Sequence, residues 1–146
     1  MSKEKNKQVI SEEIAVKEVH EFITKFAKKP ESIEEIKDAY PNIVDYVCNG
    51  LLIFDDSKVP TLKLMHPIKN TDNEVSISEI SFKTRVKPTV KADLADGLNL
   101  EKQAPKYALR LISFIISQPV AMLDNFSTED YDVINELAAV FTVGGR

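Results

Sequence analysis

The sequence predicts a small α+β domain in which a β-hairpin or three-stranded meander is packed by about five to six helices. The spacing of apolar residues is helical up to residue 48, alternates through the middle of the chain, and becomes helical again after residue 89. The chain has 146 residues, of which 43% are hydrophobic and 29% charged. These values are typical of one folded globular domain.

The chain is expected to begin with a disordered tail and one helix. Residues 1–10 have alternating lysines and no apolar face. A helix then begins at Ser11, with acids in its first turn and lysines near its end, which complements the helix dipole. Pro30 ends this helix. Its apolar stripe consists of Val19, Phe22, Ile23 and Phe26.

Two further short helices are predicted before the first strand. Ser32 and Glu35 form a capping box for one of them. Pro41 suits the first turn of the next helix, and Gly50 suits its left-handed C-terminal cap. Residues 11–48 are therefore interpreted as an N-terminal helical extension.

The middle of the chain predicts the sheet. In its last strand, Val75 and Ile77 point to one side, whereas Ile80 has the opposite parity. A bulge near Ser78 and Glu79 explains this switch and is the favoured interpretation. Burial of both faces of the strand is the alternative.

The helix that Pro105 opens is expected to be the centre of the core. Apolar residues surround it nearly completely, which indicates burial in the core or in a partner. They are Ala108, Leu109, Leu111, Ile112, Phe114, Ile115 and Ile116.

The last helix is predicted to start at Ser127, its N-terminal cap. Phe126 can pack on Tyr131 across that cap as a hydrophobic staple. The inner stripe of this helix includes Ile134 and Phe141. Residues 49–142 are interpreted as the α+β domain, and residues 143–146 as a frayed C-terminus.

The sequence gives no indication of catalysis or of a metal or cofactor site. His20 and His66 lie on different predicted elements, and neither has a second histidine or a cysteine at zinc-ligand spacing. Cys48 is interpreted as a small core residue, because a reactive thiol needs electropositive surroundings. The four glycines form no phosphate-binding loop. The chain is therefore not expected to be an enzyme or to carry a cofactor.

Charge and hydropathy also limit the expected partners. A net charge of −4 is unlike that of a dedicated nucleic-acid-binding protein. Lys83, Arg85 and Lys87 would share one face of a strand, either as a patch for an acidic partner or as a solvated edge. The solvated edge is favoured, because no aromatic residue is interleaved there. The most apolar stretch, residues 108–123, is too short to cross a bilayer, so a cytoplasmic protein is expected.

Three parts of the sequence share their order and spacing with a known family. They are NGLLIFDD at 49–56 with LKLMHPI at 62–68, ISFKTRVKPTVKADL at 80–94, and the pair Asp130–Tyr131. The first part reads as a strand ending in a proline–aliphatic pair, and the second as a strand leading through a basic step to a short helix. In this they resemble the tail assembly chaperones of long-tailed phages, in the Mu-like branch with contractile tails.

The resemblance covers residues 49–142 and implies a function. Such chaperones bind the tape measure protein, keep it soluble while tail tube subunits polymerise around it, work in the host cytoplasm and are absent from the finished virion. The resemblance also implies contact with the tail tube protein and with a longer, frameshifted form of the chain. No nucleic-acid or membrane partner is expected. The alternatives are a minor tail or baseplate component retained in the virion, and an unrelated small protein-interaction adaptor.

The positions expected to bind the client are apolar residues of the first and last helices. An amphipathic helix can dock through its apolar stripe, and large aromatic residues dominate the energetics of interfaces. For the first helix, the interpretation that its stripe covers the protein's own core is slightly favoured over client binding. The residues concerned are Val19, Phe22, Ile23, Phe26, Ile134 and Phe141.

Overall fold

The computed structural model describes residues 9–142. Within that range, six α-helices and two short 3₁₀-helices accompany a three-stranded antiparallel sheet, which confirms the predicted α+β class and the meander. The predicted frayed ends, residues 1–8 and 143–146, lie outside the described residues.

The elements follow the predicted order along the chain. The strands are β1 (Leu52–Phe54), β2 (Pro60–Lys69) and β3 (Val75–Ser81). The α-helices are α1 (Glu12–Phe26), α2 (Ile36–Ala39), α3 (Pro41–Cys48), α4 (Pro88–Ala95), α5 (Ala104–Ile116) and α6 (Thr128–Phe141). The 3₁₀-helices are Ile33–Glu35 and Val120–Asn125. As predicted, serines cap the two longest helices: Ser11 Oγ accepts a hydrogen bond from Ile14 N, and Ser127 Oγ accepts one from Asp130 N.

The sheet has the order β1-β2-β3, and one cross-strand row of its side chains enters the core. Leu52 pairs with Leu62, which pairs with Ile80, and all three are buried. The register then shifts, because five steps along β2, from Lys63 to Ile68, face only two steps along β3. The extra residues of this shift lie in β2. A second shift, between Ile68 and Lys69, places one extra residue in β3 at Ser76, close to the bulge predicted near Ser78 and Glu79.

Helix α1 belongs to the same hydrophobic core as the sheet and α6. The ring of Phe22 stacks on Phe54 with centroids 4.9 Å apart, and it meets the edge of Phe141 at 5.7 Å. Residues 11–48, interpreted from the sequence as an extension, therefore contribute to one core together with residues 49–142.

The last two residues of the predicted tail are held against the end of α3. The backbone N–H groups of Val9 and Ile10 both donate to the carbonyl of Cys48, at 2.7 and 3.2 Å. Gly50 has the predicted left-handed conformation, with φ of 73°. A Cβ at this position would lie 3.2 Å from Val9 Cγ2, so the absence of a side chain leaves room for Val9.

Helix α5 is central only in its second half. Leu111, Ile112, Ile115 and Ile116 are buried, whereas the expectation of burial is wrong for Ala108, which is exposed. Helix α4, which has no buried residue, packs against α5. A side chain of α5 connects the two helices: Arg110 Nη1 donates hydrogen bonds to the carbonyls of Leu94 and Asp96, at the end of α4.

The basic segment that follows β3 is not a strand, so its predicted strand face is wrong. β3 ends at Ser81, and the backbone N–H of Lys83 donates to the carbonyl of Ile115 at 2.8 Å. The ammonium of Lys83 also donates to the carbonyl of Phe114 at 3.0 Å and lies 4.7 Å from the centre of its ring. Lys83 thus caps the C-terminus of α5, while Arg85 and Lys87 are exposed.

None of the helices between residues 9 and 142 is both long enough and apolar enough to cross a membrane.

Candidate functional site

The residues predicted to bind a client are mostly internal. Phe141 lies 5.7 Å from Phe22 and 5.3 Å from Phe26 between ring centroids, so the stripes of α1 and α6 face each other. Of the six residues, only Phe26 is partly accessible; the others, Val19, Phe22, Ile23, Ile134 and Phe141, are buried. These residues therefore do not form an exposed surface, and their placement is the one expected if the stripes cover the core.

The histidines and the cysteine lie apart from one another on α1, β2 and α3. Cys48 is buried and lines a cavity of about 310 Å³ between α1 and α3. Burial raises the pKa of its thiol, and the nearby carboxylates of Glu12 and Asp45 raise it further. A thiol kept protonated in this way is a poor nucleophile. Within residues 9–142, no group of three or more His, Cys, Asp or Glu side chains is arranged to hold a metal ion.

Asp130 is the one charged side chain that is buried within residues 9–142. Its carboxylate accepts hydrogen bonds from the backbone N–H groups of Met65 and His66, at 2.9 and 3.0 Å. The hydroxyl of Tyr46 donates a third hydrogen bond at 2.7 Å. Two successive N–H groups of a regular strand point to opposite sides, so their common acceptor coincides with the irregular part of β2. Asp130 thereby joins β2 and α3 to the first turn of α6.

The surroundings of Asp130 fit a structural role. Burial raises the pKa of Tyr46, and its hydrogen bond to Asp130 raises it further, so the phenol remains a donor. The ring of His66 lies outside this buried group, with Nε2 3.2 Å from Glu129 Oε1 on the surface. Because a buried carboxylate is costly without partners, three donors are what its burial requires.

A second carboxylate of α6, Glu136, caps the start of α3. It accepts hydrogen bonds from the backbone N–H groups of Asn42 and Ile43, at 3.4 and 3.2 Å, and from the side-chain amide of Asn42. Burial raises the pKa of Glu136, although these hydrogen bonds oppose the shift. The N-terminus of a helix has unpaired N–H groups and a positive dipole end, and Glu136 satisfies both.

A groove lies beside this framework, between the middle of α5, the second 3₁₀-helix and the start of α6. We call it the Tyr131 groove. Its volume is about 330 Å³, and it is lined by Leu109, Leu123, Asp124, Phe126, Thr128 and Tyr131. Its apolar floor is formed by buried Leu123 and Phe126 together with half-buried Leu109 and Tyr131. The groove is thus an apolar cleft with polar groups at its rim.

The polar side chains that line the groove, Asp124, Thr128 and Tyr131, have no partner within residues 9–142. The carboxylate of Asp124 makes no ion pair or hydrogen bond there, and neither does the hydroxyl of Tyr131. Burial raises the pKa of Tyr131, as does the nearby charge of Asp132. The groove therefore offers one carboxylate acceptor, at Asp124, and two hydroxyls, at Thr128 and Tyr131, to an incoming molecule.

The sequence pointed to part of this groove. The predicted staple of Phe126 on Tyr131 placed two of its residues beside each other. For Leu109, the sequence predicts only a place on one side of a core helix. Leu123 and Asp124 were missed, because the 3₁₀-helix Val120–Asn125 has no apolar period or cap that distinguishes it from a loop.

The Tyr131 groove is suited to a ligand with two features: its floor accepts an apolar side chain, and its rim accepts a hydrogen-bond donor or a cation. Convergence of a few polar groups on an apolar cleft is typical of binding sites. No family model matches the chain, and comparisons with curated proteins and with solved structures find no match.

Proposed function

We propose that this chain is a tail assembly chaperone of a long-tailed phage. It holds the tape measure protein in soluble form in the host cytoplasm until tail tube subunits polymerise around it, and it then leaves. The proposal rests on the resemblance of residues 49–142 to the Mu-like family of such chaperones. One observation in the fold supports it most: two of the separate segments that carry the resemblance meet at Asp130.

The contact at Asp130 gives those short motifs a physical reason to occur together. The pair Asp130–Tyr131 supplies a buried carboxylate, and the segment 62–68 supplies the backbone N–H groups of Met65 and His66 that satisfy it. A buried charge without such donors would be strongly destabilising. The order and spacing of the motifs therefore correspond to one packed unit, in which strand β2 is joined to the final helix.

The way in which a chaperone of this size can work follows from its surface. A groove that binds amphipathic helices with moderate affinity allows many copies to cover a long helical client. Weak single contacts also allow the tail tube protein to displace each copy. A longer form of the same chain would share this binding surface and act on the same client.

The proposal is tested by co-expressing the tape measure protein of the same genome with and without this chain. We expect the tape measure protein to be soluble only when the chain is present, and the two to co-purify. A chain present in stoichiometric amounts in purified virions would instead identify a minor tail or baseplate component. If the client's solubility is unchanged and no complex forms, the chaperone function is wrong.

A further inference from the structure

We propose that the Tyr131 groove binds an amphipathic helix that has an aliphatic anchor residue and a lysine or arginine one turn away. Naming that helix as part of the tape measure protein rests on the proposed function. The chemistry of the groove itself does not depend on it.

The apolar floor of the groove explains why the bound helix needs an aliphatic anchor residue. Leu109 and Tyr131 each keep part of their apolar surface accessible above buried Leu123 and Phe126. A volume of about 330 Å³ lies at the lower end of the range of ligand pockets, roughly 300–1,000 Å³. It suits a few inserted side chains from a larger partner. Burial of one leucine there removes apolar surface from water on both sides, which is the main driving force for docking.

The unpaired carboxylate of Asp124 at the rim explains why the bound helix needs a lysine or arginine. Asp124 is exposed and lines the groove without a cationic partner among the described residues. Asp132 is also exposed, one residue after Tyr131. On the opposite wall, the guanidinium of Arg110 already donates to the end of α4. The side formed by the 3₁₀-helix and α6 is therefore negative, and a lysine or arginine complements it.

The orientation of the bound helix follows from the opposite wall. Lys106 is exposed and lies one turn before Leu109, so both point to the same side of α5. A cation near Lys106 would be repelled, whereas one near Asp124 is attracted. The partner's basic residue therefore faces the 3₁₀-helix, and its aliphatic anchor lies over Leu109 and Tyr131.

A helix suits this groove better than an extended strand. The walls are themselves helices, and their side chains present ridges and furrows into which a third helix can pack. The groove also offers no unpaired strand edge, which an extended peptide would need for its backbone hydrogen bonds. Helix-in-groove binding needs only apolar anchors at i and i+4 with complementary charges at the rim.

The test uses two lactam-bridged helical peptides as probes. Both have leucines at i and i+4, and they differ only in having arginine or glutamate one turn further on. Binding to the full isotope-labelled chain is followed by nuclear magnetic resonance, and the same titration is repeated with overlapping peptides of the tape measure protein. We expect the arginine peptide to shift the amide signals of Leu109, Asp124 and Tyr131, and the glutamate peptide to bind more weakly.

Two pairs of variants separate the groove from the rest of the surface. Asp124→Lys is expected to lower the affinity for the arginine peptide by about fivefold, because it replaces an attraction between exposed charges with a repulsion. Asp72→Lys makes the same change in the turn between β2 and β3 and should have no effect. Leu109→Ala should lower the affinity for both peptides by about tenfold. Leu100→Ala, at an exposed leucine outside the groove, should leave both affinities unchanged.

The outcomes distinguish the inference from the proposed function. The inference is overturned if the arginine peptide does not bind, if it shifts signals elsewhere, or if the glutamate peptide binds equally well. If tape measure peptides bind at another surface and the client is still kept soluble, the Tyr131 groove is not the binding site for the tape measure protein, whereas the chaperone function is supported. If the arginine peptide binds at the groove but the client is not kept soluble, the groove stands and the chaperone function falls.

Discussion

The hydroxyl of Tyr46 donates a 2.7 Å hydrogen bond to the buried carboxylate of Asp130, which joins α3 to the first turn of α6. Both side chains are buried, at 3% and 0% relative exposure. The same carboxylate holds two N–H groups of β2, so one residue links three elements that are distant in sequence. The stability of the fold therefore depends on the hydrogen bonds of Asp130 as well as on the burial of apolar side chains.

Removal of the Tyr46 hydroxyl should destabilise the protein. Tyr46→Phe keeps the ring and deletes one donor to a charged acceptor, which costs about 1.5–3 kcal/mol. Asp130→Ala should cost more, because it leaves the phenol and two N–H groups buried without an acceptor. Urea unfolding gives both values.

The matched control is Tyr131→Phe, since the hydroxyl of Tyr131 has no hydrogen bond within the described residues. Its free energy of unfolding should change by less than about 0.5 kcal/mol. Equal effects at Tyr46 and Tyr131 would show that the contact with Asp130 contributes nothing to stability.

Glu136 should make stability depend on pH in the direction opposite to that of a carboxylate whose pKa is lowered on folding. Burial raises its pKa in the folded state above the ordinary value of 4.5. The folded protein then binds a proton that the unfolded chain has already released, so the contribution of Glu136 is fully present below pH 4.5. It is lost as the pH rises through the folded-state pKa.

Glu136→Gln isolates this contribution, because glutamine keeps an acceptor for Ile43 N but does not titrate. We expect the stability of the parent relative to this variant to fall as the pH rises from about 4 to about 7. Urea midpoints measured across that range provide the comparison. A difference that rises with pH would mean that the hydrogen bonds from Asn42 and Ile43 outweigh burial.

Lys83 should stabilise the end of α5 through its charge. Its ammonium donates to the carbonyl of Phe114 and to the hydroxyl of Ser117, the left-handed residue that ends the helix. Lys83→Met keeps the aliphatic chain and removes the charge, and we expect a loss of about 1 kcal/mol in thermal or urea unfolding. Lys87→Met, at an exposed lysine four residues on, is the control and should be close to neutral. If both variants match the parent, the cap has no energetic role.

Local signals in the sequence were enough to predict most of the elements. The serine caps at Ser11 and Ser127 and the left-handed Gly50 each rest on interactions within a few residues, and the structure has all three. The larger irregularity, in β2, is not predicted from the sequence, because it is coupled to Asp130, which lies more than sixty residues away from Met65 and His66. No periodicity within one strand carries that information.

The site was harder to predict for a related reason. The apolar stripe of α1 has the same spacing whether it faces a client or the protein's own core, and only the aromatic contacts of Phe22 with Phe54 and Phe141 decide between them. The Tyr131 groove depends on a 3₁₀-helix that has no sequence period. Its floor and rim could therefore not be assembled from the sequence.

Removal of residues 1–29 should unfold the protein. The deletion removes α1, whose Ala15, Val19, Phe22 and Ile23 are completely buried. Phe22→Ala alone should cost about 3–5 kcal/mol, a large part of the roughly 5–15 kcal/mol that stabilises a typical domain. Loss of the whole helix would also expose the rings of Phe54 and Phe141 that pack on Phe22. Circular dichroism and heteronuclear spectra of the truncated chain provide the measurement.

Two controls make this deletion decisive for the role of α1. A truncation that ends before Val9 removes none of the described contacts, and Ile14→Ala changes an exposed apolar residue on the outer face of the same helix. Both should remain folded, with unfolding midpoints near that of the parent. A truncated chain that lacks residues 1–29, stays folded and no longer keeps the tape measure protein soluble would return the client-binding role to Val19, Phe22, Ile23 and Phe26. An unfolded chain assigns that stripe to the core, and the Tyr131 groove is then the surface on which client binding should be sought.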